Sequence, residues 1–251
     1  MPHLTILTGA SRGMGLAMAT RLCINDAVVL CISRQASAGL AATAQAQGAH
    51  LTQWQADLAE PVPVAERLRQ WLGAHDAATF AGATLINNAA VVDPIGPLPW
   101  ADPQAMTRLL RLDLEAPMQL CAAFMSATRN WPMPRRILNI SSGLGRRAMA
   151  GSALYCAAKA GMDHFSRCVA LDEERQPDPV RIVSLAPGVI DTDMQSALRA
   201  GDPVVFAERE SFVRLKQSNA LASQTQAAAQ LLAFLARADF GSNVIADVRD
   251  A

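Results

Sequence analysis

Thr8-Gly9-Ala10-Ser11-Arg12-Gly13-Met14-Gly15 follows a short apolar run at residues 3–8 and opens into a stretch of helical period at residues 14–25. Between a strand and a helix, Gly9, Gly13 and Gly15 allow a tight turn and close backbone approach. Free amides at the start of the helix then offer donors to a diphosphate. The spacing is G-x-x-x-G-x-G rather than the more familiar G-x-G-x-x-G. A glycine cluster alone also fits a merely structural turn, so its weight comes from its place after the first strand.

The same alternation continues outward from this stretch. Apolar or β-branched runs predict strands at 3–8, 27–33, 50–55, 83–87, 136–141, 180–185 and 243–247, and helical periods fall at 14–25, 37–47, 61–74, 103–130, 152–175 and 223–237. Strands and helices in that rhythm predict an α/β, Rossmann-type doubly wound parallel sheet of about seven strands, with helices on both faces. Sites in such sheets form beyond the carboxyl ends of the strands. The 251 residues, 51% hydrophobic, suffice for one large core, so residues 1–251 are read as a single domain. Residues 188–220 break the rhythm after Pro187-Gly188, as a segment covering the substrate or as an inert helical insertion.

Lys plus Arg equals Asp plus Glu at 22 each, leaving no overall field to recruit nucleic acid or an anionic membrane. Arg135-Arg136 and Arg146-Arg147 are read as loop charges. No apolar run approaches the ~18–20 residues needed to span a bilayer. The N-terminus lacks the pattern of a secretory leader, and a cytoplasmic protein is expected. The five cysteines are odd in number and lie in apolar periodic segments, as reduced, mostly buried thiols would. The four histidines are scattered without a ligand cluster, so no metal is expected.

The single tyrosine, Tyr155, stands in Tyr155-Cys156-Ala157-Ala158-Lys159. On a helix this spacing puts phenol and ammonium on one face, a turn apart. A free phenol ionises near pH ~10, and a cation within ~4–6 Å lowers that by ~1–3 units, enough to make a useful acid. Ser142, brought alongside, would hold a carbonyl oxygen in the same pocket. Taken alone, such a pair is far more often an ordinary core aromatic and a solvated lysine, and it is the rest of the chain that reverses those odds.

The second strand ends Cys31-Ile32-Ser33-Arg34, with no carboxylate to receive the ribose hydroxyls of NAD. Arg34 and Arg12 are placed to clamp a 2′-phosphate, which points to NADP(H), unless both are simply solvated. Asp57-Leu58 follows the third strand, where the carboxylate either receives an adenine amino group or caps a helix. Asn87-Asn88-Ala89-Ala90 ends the fourth strand and either stitches neighbouring strands or lines a cofactor. Asn139-Ile140-Ser141-Ser142-Gly143 closes the fifth, putting Ser142 at the carboxyl edge of the sheet.

In this order, and with Leu185-Ala186-Pro187-Gly188-Val189-Ile190-Asp191-Thr192, the motifs resemble the short-chain dehydrogenase/reductase family over essentially the whole chain. The resemblance implies an oxidoreductase in which Tyr155 is the acid/base, Lys159 lowers its pKa and holds the nicotinamide ribose, and Ser142 donates to the substrate oxygen. It implies a cofactor cradle of Gly9, Ser11, Arg12, Gly13, Met14 and Gly15, continued by Ser33, Arg34, Asp57 and Leu58. Asn88 and Ala89 would lie near the nicotinamide-side ribose, and Pro187, Gly188, Val189 and Thr192 would border the nicotinamide. Two positions depart from the pattern. Ala90 stands where glycine is common, and Asp113 replaces the asparagine that assists a water relay to the lysine. Asp113 would preserve or retune that relay, or else serve as a helix cap or solvated charge.

Within the family, the strings A-L-Y-C-A-A-K, V-A-L-D-E-E, A-P-G-V-I-D-T-D-M-Q and D-F-G-S-N-V-I-A-D-V-R-D are similar to the sepiapterin reductase and bacterial benzil reductase branch. By that resemblance Asp247 matches an aspartate that anchors an amino-pyrimidine. Its other reading is to cap a strand or pair with Arg249. The implied function is an NADPH-dependent carbonyl reductase acting on a ketone or vicinal dicarbonyl. The alternatives are a broader alcohol dehydrogenase or 3-oxoacyl reductase and, from another class, a non-catalytic NADPH sensor, against which the Ser142, Tyr155 and Lys159 set argues. The family also implies a homodimer or homotetramer paired through the helices near 103–130 and 152–175.

Overall fold

In the computed structural model, which describes residues 1–250, the apolar runs pair into one parallel sheet. Its strands are β1 (His3–Thr8), β2 (Val28–Ser33), β3 (His50–Gln55), β4 (Gly82–Asn87), β5 (Arg135–Ile140), β6 (Arg181–Ala186) and β7 (Ile245–Asp247). They lie in the order β3-β2-β1-β4-β5-β6-β7. Strands covered on both faces read as nearly continuous apolar runs, and β4 is buried along its whole length. The order reverses between β1 and β4, so the connections leaving those strands diverge and open a crevice at the carboxyl edge.

The helices are α1 (Gly13–Leu22), α2 (Ala38–Gln47), α3 (Pro61–Gly73), α4 (Pro103–Leu110), α5 (Ala116–Ala127), α6 (Ala153–Glu173), α7 (Asp193–Ala200), α8 (Arg209–Gln217) and α9 (Gln224–Ala236). The period-two alternation of the strands feeds two cores. Leu7, Cys31, Ile86 and Val183 meet α1, α2 and α9 on one face. Leu4, Leu30, Leu85 and Ile137 meet α3, α5 and α6 on the other. Each such side chain, fully buried, stabilises the fold by ~1.5–3 kcal/mol.

Several expectations need correction. Residues 103–130 are not one helix: α4 and α5 are separated by a π-helical turn, Arg111–Glu115, in which the Ala116 N–H reaches back five residues to the Arg111 carbonyl. Pro117 has no N–H for the Asp113 carbonyl and its ring crowds that carbonyl, so the ladder slips there. Residues 188–220, read as a segment covering the substrate or an inert helical insertion, hold α7 and α8, and their apolar side chains pack into the domain. Phe206 and Phe212 stack at 5.8 Å between ring centres, and both join Leu198, Val92 and Tyr155 in a third apolar cluster. β7 has three residues rather than five.

Arg135 and Arg136 are not loop charges but lie in β5. The buried Arg135 guanidinium donates to the Thr128 carbonyl at 2.8 Å, while Arg136 donates to the Leu235 carbonyl and lies over the Phe240 ring. Cys23, Cys31 and Cys121 are buried, and burial pushes the Cys31 and Cys121 thiols up to about 12. Cys156 is half-buried and Cys168 exposed. Among the described residues no His, Cys, Asp and Glu side chains cluster as metal ligands, and no helix is long and apolar enough to cross a membrane.

Candidate active site

A cleft of about 400 Å³ runs along the carboxyl edge of the sheet, from Arg34 and Asp57 at one end to Asp247 and Arg249 at the other. Its floor is the turn between β1 and α1. Gly9 and Gly13 have φ of +70° and +61°, a region that favours glycine. A β-carbon on Gly15 would come within 2.1 Å of the Gly9 carbonyl oxygen, so the loop lies flat on the start of the helix. No side chain caps α1, and its first amides remain free at the crevice. Such a cradle suits a dinucleotide diphosphate.

Asn88 and Thr8 tie the two diverging strands together. The Thr8 hydroxyl accepts from the Asn88 and Ala89 amides at 2.9 and 3.0 Å, and the Asn88 side chain donates to the Thr8 and Gly9 carbonyls at 2.9 and 3.3 Å. Asn88 thus stitches the sheet while also bordering the cleft. Asn87 stitches the next pair of strands, donating to Asn139 at 2.8 Å.

Gly9, Ser11, Arg12, Gly13, Met14 and Gly15 all border the cleft, as do Ser33, Arg34, Leu58 and Ala89 and, across the gap, Pro187, Gly188, Val189 and Thr192. Arg12 is not simply solvated, because it pairs with Asp193 at 3.0 Å across the mouth of the cleft. Both partners are exposed, and pairs of that kind contribute little. Asp57 is not a helix cap, since the cap residue of α3 is Glu60. Its carboxylate instead accepts the Ala59 amide at 3.0 Å and pairs with Arg108 at 3.1 Å. Thr192 caps α7, accepting the Gln195 amide.

At the middle of the cleft, Ser142 lies just beyond β5 and accepts the Leu144 amide at 3.1 Å. Tyr155 and Lys159, one turn apart on α6, are both buried, and the Lys159 Nζ lies 5.5 Å from the centre of the Tyr155 ring. Lys159 donates to the Ile140 carbonyl at 3.3 Å and faces Asp113 Oδ2 at 3.4 Å. Asp113 is neither a cap nor solvated. It is fully buried in the π-helical turn, and its other oxygen accepts the Val91 amide at 2.8 Å. Burial holds its carboxyl above the ordinary range, against the pull of Lys159 and the Val91 amide.

The balance at Tyr155 differs from the sequence-based expectation of a lowered phenol. Burial pushes it above its ordinary value, with Asp113 and Cys156 acting in the same direction. Lys159 and the Ser142 hydroxyl pull it down without prevailing. Asp247 also takes one of its two readings here. Arg249 grips its carboxylate with bonds of 2.8 and 2.6 Å and holds it below the usual range, while the side chain still borders the cleft.

Sequence reasoning missed Asp163. It follows Lys159 by one turn, so Tyr155, Lys159 and Asp163 share a face of α6, a spacing that was legible. The buried carboxylate accepts from the Ser141 hydroxyl at 2.6 Å, the Ser184 hydroxyl at 2.7 Å and Arg146 Nε at 3.2 Å. Arg146 also donates to the Ala246 carbonyl at 2.8 Å, so its side chain, 29% exposed, is a cross-link rather than a free loop charge. Through Ser141 and Arg146, α6 is pinned on both sides of Ser142.

Comparison with known proteins agrees with this geometry. Residues 3–203 match the family model for short chain dehydrogenase. A benzil reductase, (S)-benzoin forming, from Bacillus cereus is 34% identical over 218 residues, covering 87% of this chain and 88% of the relative. A sepiapterin reductase from Meriones unguiculatus is 30% identical over 257 residues, covering 98% and 95%. Among solved structures, a short-chain dehydrogenase/reductase from Burkholderia vietnamiensis superposes with a TM-score of 0.64 at 34% identity, covering 99% of this chain and 97% of that one. The glycine turn, the laced carboxyl edge and the Ser142, Tyr155 and Lys159 cluster stand on a chain that belongs to the short-chain dehydrogenase/reductase family.

Proposed function

We propose that this protein is an NADPH-dependent carbonyl reductase acting on a ketone or vicinal dicarbonyl, working in the cytoplasm as a homodimer or homotetramer. The observation that carries the reading is the buried Tyr155 phenol in the cleft wall, with Ser142 in the same wall and the Lys159 Nζ 5.5 Å from the ring centre. The nicotinamide cofactor, when bound, supplies the hydride for reduction and accepts it in the reverse direction. Gly9, Gly13 and the free amides of α1 would hold its diphosphate, and Arg34, with Arg12 released from Asp193, would hold the 2′-phosphate. Thr192 and Val189 would border its nicotinamide end.

The Tyr155 hydroxyl delivers its proton to the carbonyl oxygen, and the Ser142 hydroxyl donates a second hydrogen bond to the same atom. Negative charge develops on that oxygen as the carbonyl is reduced, and two aimed donors stabilise it. Lys159 lowers the cost of the phenolate left behind. Asp113, against Lys159, holds the ammonium in place and lies on the route by which a proton returns. The apolar wall of Val92, Leu144, Met194, Leu198 and Phe212 suits an aromatic or otherwise hydrophobic substrate. The likeness to benzil and sepiapterin reductases supports a vicinal dicarbonyl. The exposed Leu110 and Leu171, at the end of α4 and on α6, support association through that side of the molecule.

The test is NADPH consumption with benzil, sepiapterin, simple ketones and a 3-oxoacyl thioester. Tyr155→Phe is expected to lower turnover by at least ~10²–10⁴-fold while NADPH binding stays near wild type. Full activity in that variant would refute the mechanism.

A further inference from the structure

We infer that Gln195 recognises the second oxygen of a substrate carrying two neighbouring oxygens, an inference that rests on the carbonyl reductase reading. Six buried side-chain polar atoms among the described residues lack a hydrogen-bond partner, and only the Gln195 Oε1 belongs to a residue that borders the cleft. The residue is 8% exposed, sunk in the roof of the site. A sealed amide oxygen without a partner destabilises the fold, so its retention in a residue that borders the cleft calls for a ligand that completes it.

Local structure sharpens the point. Thr192 and Gln195 have the spacing of a capping box, in which the glutamine side chain returns a bond to the backbone N–H of the cap residue. The first half is present, with Thr192 Oγ1 accepting the Gln195 amide at 3.4 Å, but the Gln195 side chain makes no return bond. Leu198, three residues on and on the same face of α7, is buried in the apolar cluster that contains Tyr155 and Phe212. Gln195 therefore brings a lone polar group to an apolar wall shared with the phenol. A carboxamide donates from one end and accepts at the other, and turning about its last bond exchanges them. It is suited to donate to the second carbonyl of a dicarbonyl and to accept from the hydroxyl of a hydroxyketone.

The experiment is calorimetric titration of benzil, benzoin and deoxybenzoin, which lacks the second oxygen, into protein saturated with a hydride-inert tetrahydronicotinamide analogue of the cofactor, so that no ketone is reduced and benzoin is not oxidised. The wild type should bind benzil at least tenfold more tightly than deoxybenzoin. Gln195→Leu should bring that ratio to near one by losing affinity for benzil alone, with deoxybenzoin binding reporting an intact fold. Gln195→Glu, which keeps an acceptor but loses the donor, should retain benzoin and lose benzil. A wild type that binds neither ketone or does not discriminate, or a ratio that survives in Gln195→Leu, overturns the assignment. Discrimination without NADPH oxidation would sink the reductase reading and leave Gln195 standing. Turnover without discrimination would do the reverse.

Discussion

Replacing Asp113 with asparagine tests whether its carboxylate sets the working pH of the phenol. Lys159 Nζ lies 5.5 Å from the centre of the Tyr155 ring and 3.4 Å from Asp113 Oδ2. The carboxylate oxygen is therefore at most about 9 Å from the ring, where a unit charge at an effective dielectric of ~20 contributes ~2 kcal/mol. That energy corresponds to a little more than ~1 pH unit. The sign follows from the charges. A carboxylate disfavours the phenolate, and its removal also frees the field of Lys159, so ionisation moves toward acid. In alcohol oxidation, which needs the phenolate, activity should appear about one pH unit lower. In ketone reduction, which needs the phenol, activity should be lost about one pH unit lower. The asparagine oxygen still accepts the Val91 amide, but Lys159 is left buried without its partner, a change that costs ~3–5 kcal/mol. Thermal melts should register that loss, and kcat profiles of both directions from neutral to alkaline pH should register the shift. A folded variant whose two profiles stay in place, or move toward alkali, refutes the reasoning.

Two further substitutions probe the cofactor end. Arg34→Asp removes the cation that lies along the cleft and supplies the carboxylate missing from the end of β2, so the ratio of kcat/KM for NADPH over NADH should fall by ~10–100-fold, the value of a charge-assisted hydrogen bond. An unchanged ratio takes Arg34 out of the account. Gly15→Ala drives a methyl to within 2.1 Å of the Gly9 carbonyl oxygen and 2.6 Å of the Asn88 side-chain nitrogen, itself tied to the Thr8 and Gly9 carbonyls. A loss of at least ~1–3 kcal/mol in stability should accompany weaker dinucleotide binding by fluorescence titration. Wild-type binding and melting in that variant would show that the turn has room.

How much of this was legible depends on whether the cause is local. The strands were readable because a parallel sheet buries both faces, leaving apolar runs such as Leu4–Leu7 in plain view. The Tyr155 and Lys159 pair and the glycine turn were readable because each is set by spacing within a few residues. Partnerships were not. Asp113 was seen as a departure, but its meeting with Lys159 depends on how α6 lies against the π-helical turn. Arg135 and Arg136 looked like surface charges because the carbonyls that receive them belong to segments brought in by folding. Local signals existed for two of the misses. Pro117 marks the place where a long helix must slip, and Thr192 with Gln195 marks the start of α7. The net direction of the phenol's ionisation was not legible, since it turns on burial that only the packed roof creates.

The lacing of Thr8 to Asn88 and Ala89 has a consequence for ligand affinity. Loops that frame a nucleotide often gain order only on contact with it, and the entropy lost is then subtracted from binding. Here two diverging strand ends are tied together by the polypeptide's own hydroxyl, amide and carbonyl groups, so that loss is met when the chain folds. A dinucleotide arriving at this crevice meets strand ends already fixed by the fold, and more of the contact energy at that point remains available as affinity.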